Sequence, residues 1–405
     1  MATRTPSAAP APIFHRNLSL PSARTADTSK LWPVPKPARN PTMNFSDLVG
    51  TGEIAAIRQK GSLQFHAVGD AGNGSAAQEK ITEAMTRDVV PAAPANGAAF
   101  FLNLGDIIYG PGKADHYAGK FYRPNMPYLR PAPNFEGIIL AIPGNHDGEV
   151  RSSADSPTLK AYLENFCAPP GKIPPMAASF NVTMPHQPGP YWHLDAPFLD
   201  LIGLYTNSGE NIAMLGADAK DTHQSAWLLK TLKAIALARK GGARKALVIA
   251  THHAPYAGGL HPQSQGHGHT SVPALQAQLD ALFAGAGIWP DGVISGHTHT
   301  YQQYMRYCKD LNGRDFVVPY FVAGTGGMPI QVLPPGIGSN SQQEMPPGLA
   351  SAQVVYKNGL ASHGYLRITA SEKYLSTTFV PTIEDHRSEF ETVTIELASQ
   401  KQVFI

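Results

Sequence analysis

Short hydrophobic runs alternate with longer amphipathic stretches from residue 61 onwards. The amphipathic stretches lie near 75–90, 221–239 and 272–285, and in the second of them apolar residues share one face at helical spacing. The hydrophobic runs have the length of buried strands, and they cover residues 63–68, 98–104, 137–142, 246–250 and 292–294. Strands that alternate with helices predict an α/β layered fold.

The regions flanking this alternation are predicted to add further strands and an arm. Residues 1–43 are rich in proline, alanine, serine and threonine, which is typical of an extended arm. Residues 44–60 predict one short helix, and 190–206 predict a hairpin. Further strands are expected at 317–323, 363–369, 374–380 and 391–397.

Composition and charge limit the classes of protein that this chain can form. Hydrophobic residues make up 42% of the 405 positions, which is enough for a sizeable core. The net charge of +2 argues against non-specific binding of nucleic acid, and no apolar run is long enough to predict a membrane span. Cys167 and Cys308 are not spaced as a metal-binding pair. Because no secretory segment is visible at the N-terminus, we expect a cytoplasmic protein.

Each of the five hydrophobic runs is followed directly by a small polar cluster. Binding sites in open α/β sheets form outside the carboxyl ends of the strands, so these clusters are predicted to converge. The clusters are Gly69-Asp70-Ala71-Gly72, Gly105-Asp106-Ile107-Ile108-Tyr109, Gly144-Asn145-His146-Asp147, Thr251-His252-His253-Ala254-Pro255 and Gly296-His297-Thr298-His299.

The donor atoms in these clusters are the oxygens and nitrogens of Asp, Asn, His and Tyr, without a thiolate. Such donors suit zinc, manganese and iron. They are too many for one tetrahedral ion, so a carboxylate that bridges two cations is the natural interpretation. Taken singly, Gly-Asp is more often a turn, and His-x-His can be a pair of surface histidines. The ordered series of five is hard to reach by chance, and a structural zinc site would be rich in cysteine.

The series of motifs resembles the calcineurin-like phosphoesterases, and specifically the purple acid phosphatases. That family carries Asp-x-Gly, Gly-Asp-x-x-Tyr, Gly-Asn-His-Asp/Glu, Val-x-x-His and Gly-His-x-His, whereas the wider superfamily usually has Asp-x-His first. Gly72 together with Tyr109 is what separates the purple branch. The resemblance covers about residues 61–325. It implies a β-sandwich of two mixed sheets flanked by helices, with a dinuclear metal site at the carboxyl ends of the strands.

The resemblance also implies roles for the matching residues. The implied metal ligands are Asp70, Tyr109 and His299 for the first ion, Asp106 as the bridge, and Asn145, His253 and His297 for the second ion. The expected pair is Fe(3+) with Fe(2+), Zn(2+) or Mn(2+). His146 would stabilise the phosphoryl oxygens and protonate the leaving group, and Asp147 would orient His146.

The fourth motif leaves two registers open. His253 keeps the family's His-x-Pro spacing with Pro255, whereas the alternative register makes His252 the ligand. We favour His253 and place His252 just outside the ligands. His267 and His269 lie in the loop 261–269, which predicts a substrate lip or, equally well, a solvated loop.

The resemblance implies hydrolysis of phosphate monoesters by a metal-bound hydroxide, as in an acid phosphatase. A phosphodiesterase or nucleotidase on the same centre is the nearest alternative, and a non-catalytic protein-binding scaffold is a remote one. The expected partner is a small phosphorylated substrate, without specific nucleic acid or membrane, and the oligomeric state is left open. The implied organisation is an arm and short helix over 1–60, a catalytic domain over 61–330, and a β-rich extension over 331–405 packed on that domain.

Overall fold

The computed structural model describes residues 31–169, 173–210, 212–242, 244–258, 269–333, 340–341, 346–382 and 392–405. Its strands are β1 (Thr42–Asn44), β2 (Ser62–Val68), β3 (Ala98–Asn103), β4 (Ile139–Ala141), β5 (Trp192–Ala196), β6 (Leu199–Gly203), β7 (Ala246–Thr251), β8 (Gly292–Ser295), β9 (Tyr301–Asp310), β10 (Asp315–Ala323), β11 (Asn340–Ser341), β12 (Leu349–Leu360), β13 (Gly364–Ser371), β14 (Tyr374–Pro381), β15 (Val393–Glu396) and β16 (Lys401–Val403). Its α-helices are α1 (Ser46–Val49), α2 (Thr51–Lys60), α3 (Ala76–Thr86), α4 (Arg123–Leu129), α5 (Asn145–Gly148), α6 (Lys160–Phe166), α7 (Pro175–Ala178), α8 (His223–Lys240) and α9 (Pro273–Ala286).

The strands form two mixed sheets. One sheet has the order β1-β5-β6-β7-β8-β10-β9-β12-β11, and the other has the order β16-β15-β14-β13-β2-β3-β4. The strands β2, β3 and β4 run parallel, as do β6, β7, β8 and β10, while the neighbouring strands pair antiparallel with them. Apolar side chains of both sheets share one buried core, in which Phe65 and Leu102 of the smaller sheet join Leu201 and Val248 of the larger one. The predicted α/β fold with two mixed sheets is therefore confirmed.

Helices cover the outer faces of the sheets and bury apolar stripes on them. In α8, the residues Leu228, Leu232 and Ile235 are buried at helical spacing and pack in a second core with α9 and the larger sheet. Residues 44–60 form two helices rather than the one that was predicted, because Gly50 has a positive φ of 82° and interrupts the helix between α1 and α2.

A buried ion pair ties α9 to the larger sheet. The guanidinium of Arg306, on β9, donates to both carboxylate oxygens of Asp280, on α9, at 2.7 and 2.8 Å. Arg306 is fully buried, and Gln276 donates to the same carboxylate at 2.8 Å. This bidentate geometry matches each buried charge with its opposite inside the protein.

Residues 31–44 lie across the domain. The backbone of Trp32 exchanges hydrogen bonds with the side chain of Asn207 at 3.2 and 3.0 Å, and the N–H of Val34 donates to Asp221 at 2.8 Å. Strand β1 then pairs in parallel with β5. Among the described residues, no helix combines the length and the apolar character that crossing a bilayer requires.

Candidate metal centre

The carboxyl ends of five strands from both sheets meet at one end of the sandwich. Strands β2, β3 and β4 end there beside β7 and β8. The polar residues that follow these strands are all buried, and they are Asp70, Asp106, Tyr109, Asn145, His252, His253, His297 and His299. The structure thus brings together polar clusters that are scattered along the sequence.

One group of donor atoms surrounds the end of β2. The Tyr109 hydroxyl donates to Asp70 Oδ1 at 2.8 Å and lies 3.1 Å from His299 Nε2. His299 Nε2 is also 3.4 Å from Asp70 Oδ1. These three side chains therefore present one oxygen or nitrogen each toward the same point.

A second group lies beside the first. The carboxamide oxygen of Asn145 is 2.9 Å from His252 Nε2 and 3.1 Å from His297 Nδ1. His252 Nε2 is also 3.4 Å from Asp106 Oδ1. Ligand atoms of Asp70, Asp106 and His252 all lie within 4.8 Å of one another, so the two groups adjoin each other at Asp106.

Three histidines of the cluster are held in the same way. His252 Nδ1 bonds to the carbonyl of Leu104 at 2.9 Å, and His297 Nε2 bonds to the carbonyl of Glu210 at 2.9 Å. His299 Nδ1 lies 3.3 Å from the carbonyl oxygen of Pro329. Each ring thus has one nitrogen tied to a backbone carbonyl and the other turned to the carboxylate and amide oxygens. This is the usual arrangement of metal-binding histidines, because the carbonyl fixes the tautomer and the ring orientation.

His253 does not follow this arrangement, which corrects the preference for it over His252. Its Nδ1 bonds to the hydroxyl of Thr206 at 2.7 Å, and its Nε2 bonds to the carbonyl of Gly209 at 2.7 Å. Both of its ring nitrogens therefore bond to groups outside the donor cluster, whereas His252 Nε2 faces Asn145 and Asp106 of that cluster. His252 and His253 follow one strand in direct succession, so their side chains leave it in different directions, and it is His252 that faces Asp106.

The backbone at this end is strained where the donors project. Asp70, Asp106 and His297 have φ values of 61°, 52° and 66°, in the left-handed region that non-glycine residues seldom adopt. Gly144 must be a glycine, because a Cβ there would lie 2.2 Å from the backbone nitrogen of Asp106. Strain of this kind concentrates at functional sites, where the surrounding structure enforces it.

Gly72 packs closely against the backbone of Ile107 and beside Tyr109. The N–H of Tyr109 donates to the carbonyl of Gly72 at 2.9 Å, and a Cβ at position 72 would lie 2.3 Å from the carbonyl carbon of Ile107. A histidine in the third position of the first motif would therefore not fit this backbone. Burial and the carboxylates of Asp106 and Asp70 raise the pKa of Tyr109 well above its usual value.

The charges of the second group are strongly coupled. Burial opposes ionisation of Asp106, but His252 and His146 outweigh it and hold the pKa of that carboxyl well below its usual range. Burial likewise opposes protonation of His252, but Asp106 raises its pKa to about 10. Burial and the neighbouring His252 lower the pKa of His253 to about 3. The carboxylate of Asp106 thus attracts positive charge, which a bound cation would supply in place of the proton on His252.

His146 lies on the solvent side of this buried group. Its ring packs on that of Tyr109, with centroids 4.7 Å apart, and its Nε2 is 3.9 Å from Asp106 Oδ2. Carboxylate oxygens of Glu149 and Glu210 lie 3.7 and 3.6 Å from its two ring nitrogens. A fifth of the His146 side chain is exposed, so the ring can meet a molecule that approaches from solvent.

Asp147 does not orient His146, which corrects its predicted role. Its carboxylate accepts hydrogen bonds from the backbone N–H groups of Ile107, Ile108 and Gly144, at 3.1, 3.3 and 2.8 Å. Within the described part of the chain, no hydrogen bond or ion pair joins it to the His146 ring. Burial and the nearby Asp106 raise the pKa of Asp147 to about 7. Asp147 thus holds the turn after β3 against the turn after β4.

Glu210 is a site residue that the sequence motifs did not indicate. Its carboxylate lies between His146 and His269, 3.5 Å from His269 Nε2, and the ring of His269 stacks on that of His297 at 4.0 Å. Donor atoms of Glu210, His269 and His297 form another group that could hold a cation. His269 is thus placed at the site, whereas His267 lies outside the described residues. The sequence signal that could have identified Glu210 is its position shortly after the end of another strand, β6.

The comparison with known protein families agrees with this fold. The family model described as calcineurin-like phosphoesterase matches residues 63–301. The chain therefore belongs to the calcineurin-like phosphoesterase family and is a metal-dependent phosphoesterase. No sequence among the curated proteins matches it.

Two of the solved structures that the chain matches are GAP50 and PhoD. GAP50, titled the anchor in the inner membrane complex of Plasmodium, matches with a TM-score of 0.51 at 12% identity, over 83% of this chain and 89% of that one. The structure of PhoD matches with a TM-score of 0.47 at 12% identity, over 92% of this chain and 73% of that one. At this identity, the likeness to GAP50 speaks for a common fold.

Proposed function

We propose that this protein hydrolyses phosphate monoesters at a centre of two cations. The observation that carries the proposal is the orientation of three histidines, each with one nitrogen held by a backbone carbonyl and the other turned to the carboxylate and amide oxygens. One nitrogen of each ring is therefore presented toward the same buried group of oxygens, as in metal-binding histidines.

The proposed ligand set differs from the predicted one at a single position. Asp70, Tyr109 and His299 would hold one cation, Asp106 would bridge, and Asn145, His252 and His297 would hold the other. Two cations bound in this way would neutralise the phosphate oxygens and lower the pKa of a bound water from about 15.7 toward 7. Their identities, with Fe(3+) expected at Tyr109 and Fe(2+), Zn(2+) or Mn(2+) at the other position, are part of the proposal.

His146 is proposed as the residue that protonates the departing alkoxide. It is the histidine above Asp106 whose ring is partly exposed, and its Nδ1 makes no hydrogen bond within the described structure. Its Nε2 lies 3.9 Å from Asp106 Oδ2. A proton held at this nitrogen can reach the leaving oxygen of a phosphate that lies over the donor cluster.

The assignment to the purple acid phosphatase branch is supported by Gly72 and Tyr109. A side chain at position 72 would collide with the backbone at Ile107, so Tyr109 takes the place beside Asp70.

A tyrosinate on ferric iron absorbs visible light. We expect the iron-loaded protein to be coloured and Tyr109→Phe to lose the band; a colourless, fully active dizinc protein would remove the purple assignment and leave the phosphoesterase.

The test of the function is hydrolysis by the metal-loaded protein, read beside the variant His146→Ala. We expect phosphate release from alkyl and aryl monoesters and a loss of about 10²–10⁴-fold in the variant on alkyl esters, whose poor leaving groups need the proton most. Activated aryl esters should lose far less. Unchanged metal content would show that the loss lies in proton transfer, and an equal loss on both ester types would count against His146 as the acid.

A phosphodiesterase or nucleotidase is the second candidate. It is favoured by Glu210, because a carboxylate beside His146 disfavours a doubly charged monoester more than a singly charged diester. Rates on a monoester, a bis-ester and a nucleotide separate the two. A non-catalytic scaffold is disfavoured, since every proposed ligand and His146 are present.

A further inference from the structure

Glu210 places a carboxylate at the solvent side of the donor cluster. One oxygen lies 3.6 Å from His146 Nε2, and the other lies 3.5 Å from His269 Nε2. The side chain of Glu210 remains 42% exposed, whereas that of Asp106 below it is 2% exposed. A phosphate ester that reaches the cluster beside His146 therefore passes close to this carboxylate.

The negative charge of Glu210 is not matched by a lysine or arginine among the described residues. Within the described residues, its ion-pair partners are the two histidines, and no lysine or arginine lies within ion-pair distance. Glu149 makes a useful contrast, because it lies 3.7 Å from the other nitrogen of His146 but is paired with Arg151 at 2.7 Å. Two carboxylates thus flank the same imidazole, and one of them has its charge neutralised.

The loop that carries Glu210 is held by its backbone. The carbonyls of Gly209 and Glu210 accept hydrogen bonds from His253 and His297 at 2.7 and 2.9 Å, and Asn207 is tied to Trp32. These bonds do not involve the carboxylate of Glu210. Replacing that carboxylate with a carboxamide therefore removes the charge and leaves the loop in place.

We propose that Glu210 is a specificity-determining residue that penalises the second negative charge of a phosphate monoester, so that this protein hydrolyses diesters as well as monoesters. Above pH 7 a monoester carries close to two negative charges, since its second pKa is about 6, whereas a diester carries one. The carboxylate of Glu210 repels both esters, but it repels the doubly charged ester about twice as strongly. The inference rests on the proposed function and deepens it by setting the ester class.

The test is the variant Glu210→Gln in the metal-loaded protein at pH 8, with kcat/KM measured for 4-nitrophenyl phosphate and for bis(4-nitrophenyl) phosphate. We expect the monoester-to-diester ratio to rise on the order of tenfold, the size of one unit charge acting through a partly wet site. Glu149→Gln is the matched control. Its ratio should stay at the native value, because Arg151 already offsets that charge. Equal ratios in the native protein and in Glu210→Gln would overturn the proposal.

Binding gives a readout that does not depend on turnover. Inorganic phosphate and dimethyl phosphate are titrated calorimetrically into the native protein and into Glu210→Gln. We expect the variant to gain affinity for phosphate, which is mostly doubly charged at pH 8, and to change little toward dimethyl phosphate. A fall in metal content of the variant would also overturn the proposal, because Glu210 would then be a cation ligand with His269 and His297.

The two proposals can fail separately. If the native, metal-loaded protein hydrolyses no phosphate ester, the proposed function fails, while the phosphate titration still decides whether Glu210 discriminates by charge. If it hydrolyses esters and the variant keeps both the native ratio and the native phosphate affinity, only the role of Glu210 fails.

Discussion

Two of the buried polar clusters in this protein are built in opposite ways. Behind the sheet, Arg306 and Asp280 meet in a bidentate pair in which each charge has its opposite. At the carboxyl end, Asp70 and Asp106 crowd against histidines and a tyrosine, without a lysine or arginine among their ion-pair partners in the described residues. The first cluster contains its own permanent cation, whereas the described ion pairs of the second contain none.

The difference separates a structural from a ligand-binding cluster. Burying carboxylates costs free energy unless a positive partner is supplied. Arg306 supplies that partner from within the chain, whereas the strand-end cluster supplies nitrogen and oxygen donors but no permanent cation. The backbone is also strained only at the second cluster, at Asp70, Asp106 and His297. An external cation is therefore the natural complement of the second cluster alone.

The largest effect is expected from Asp106→Asn. The change keeps the shape but removes the bridging charge, so both cations should bind more weakly by more than about a hundredfold, the upper figure for residues that only support ligands. Metal content by mass spectrometry and phosphatase activity should fall together. A variant with full metal content and full activity would show that Asp106 is not the bridge.

In the Arg306–Asp280 cluster, Asp280→Ala should destabilise the fold by about 3–5 kcal/mol, because Arg306 is left buried without its partner. Denaturant unfolding measures the loss, and metal content per folded molecule should stay native. The double variant Asp280→Leu with Arg306→Met is the control and should recover most of the stability. If the double variant is no more stable than the single one, the cost lies in packing rather than in the unpaired charge.

Added metal should stabilise the folded protein only by binding to the cluster at the strand ends. At a free metal concentration of 100 times the Kd, the native protein should gain about 2.7 kcal/mol for each cation bound, since cations that bind only the folded state shift the unfolding equilibrium. Asp280→Ala should gain the same amount, and Asp106→Asn should gain little. Thermal unfolding with and without chelator measures this, and an equal gain in Asp106→Asn would place the cations elsewhere.

The smallest effect is expected from His253→Gln. This histidine bonds to Thr206 and Gly209, so its replacement should cost about 1 kcal/mol of stability and keep both cations. His252→Gln is the matched variant one position away, and it should lose metal as Asp106→Asn does. Metal loss in His253→Gln with retention in His252→Gln would restore the register that the sequence favours.

The five strand ends were predictable because each joins an apolar run to a polar turn. Strands β9 and β12 were not predicted. Buried polar residues such as Gln302 and Arg306 hide the apolar pattern of β9, and hydropathy alone cannot show that their partners lie inside the protein. The arm was predicted as extended, and its described part, from Leu31 onwards, lies on the domain surface beside Asn207.

The sequence alone could not decide whether His252 or His253 faces the site. Both follow the same strand, and the motif spacing fits either register, so only the directions of the two side chains decide. Glu210 was missed because the predicted hairpin ends at residue 206, and the polar residues after its second strand match none of the five motifs. Polar residues after every strand end, and not only those in known motifs, are therefore candidates for such a site.

Strand β2 lies between β3 and β13 in the smaller sheet, and β13 pairs with it residue for residue from Ser62 to Ala67. One neighbour of β2 is therefore encoded close by, and the other is encoded near the end of the chain. A ribosome must release residues up to 371 before β2 is enclosed on both sides, and Asp70 lies just beyond that strand. We therefore expect the proposed cations to bind stably only after residues up to 371 have left the ribosome.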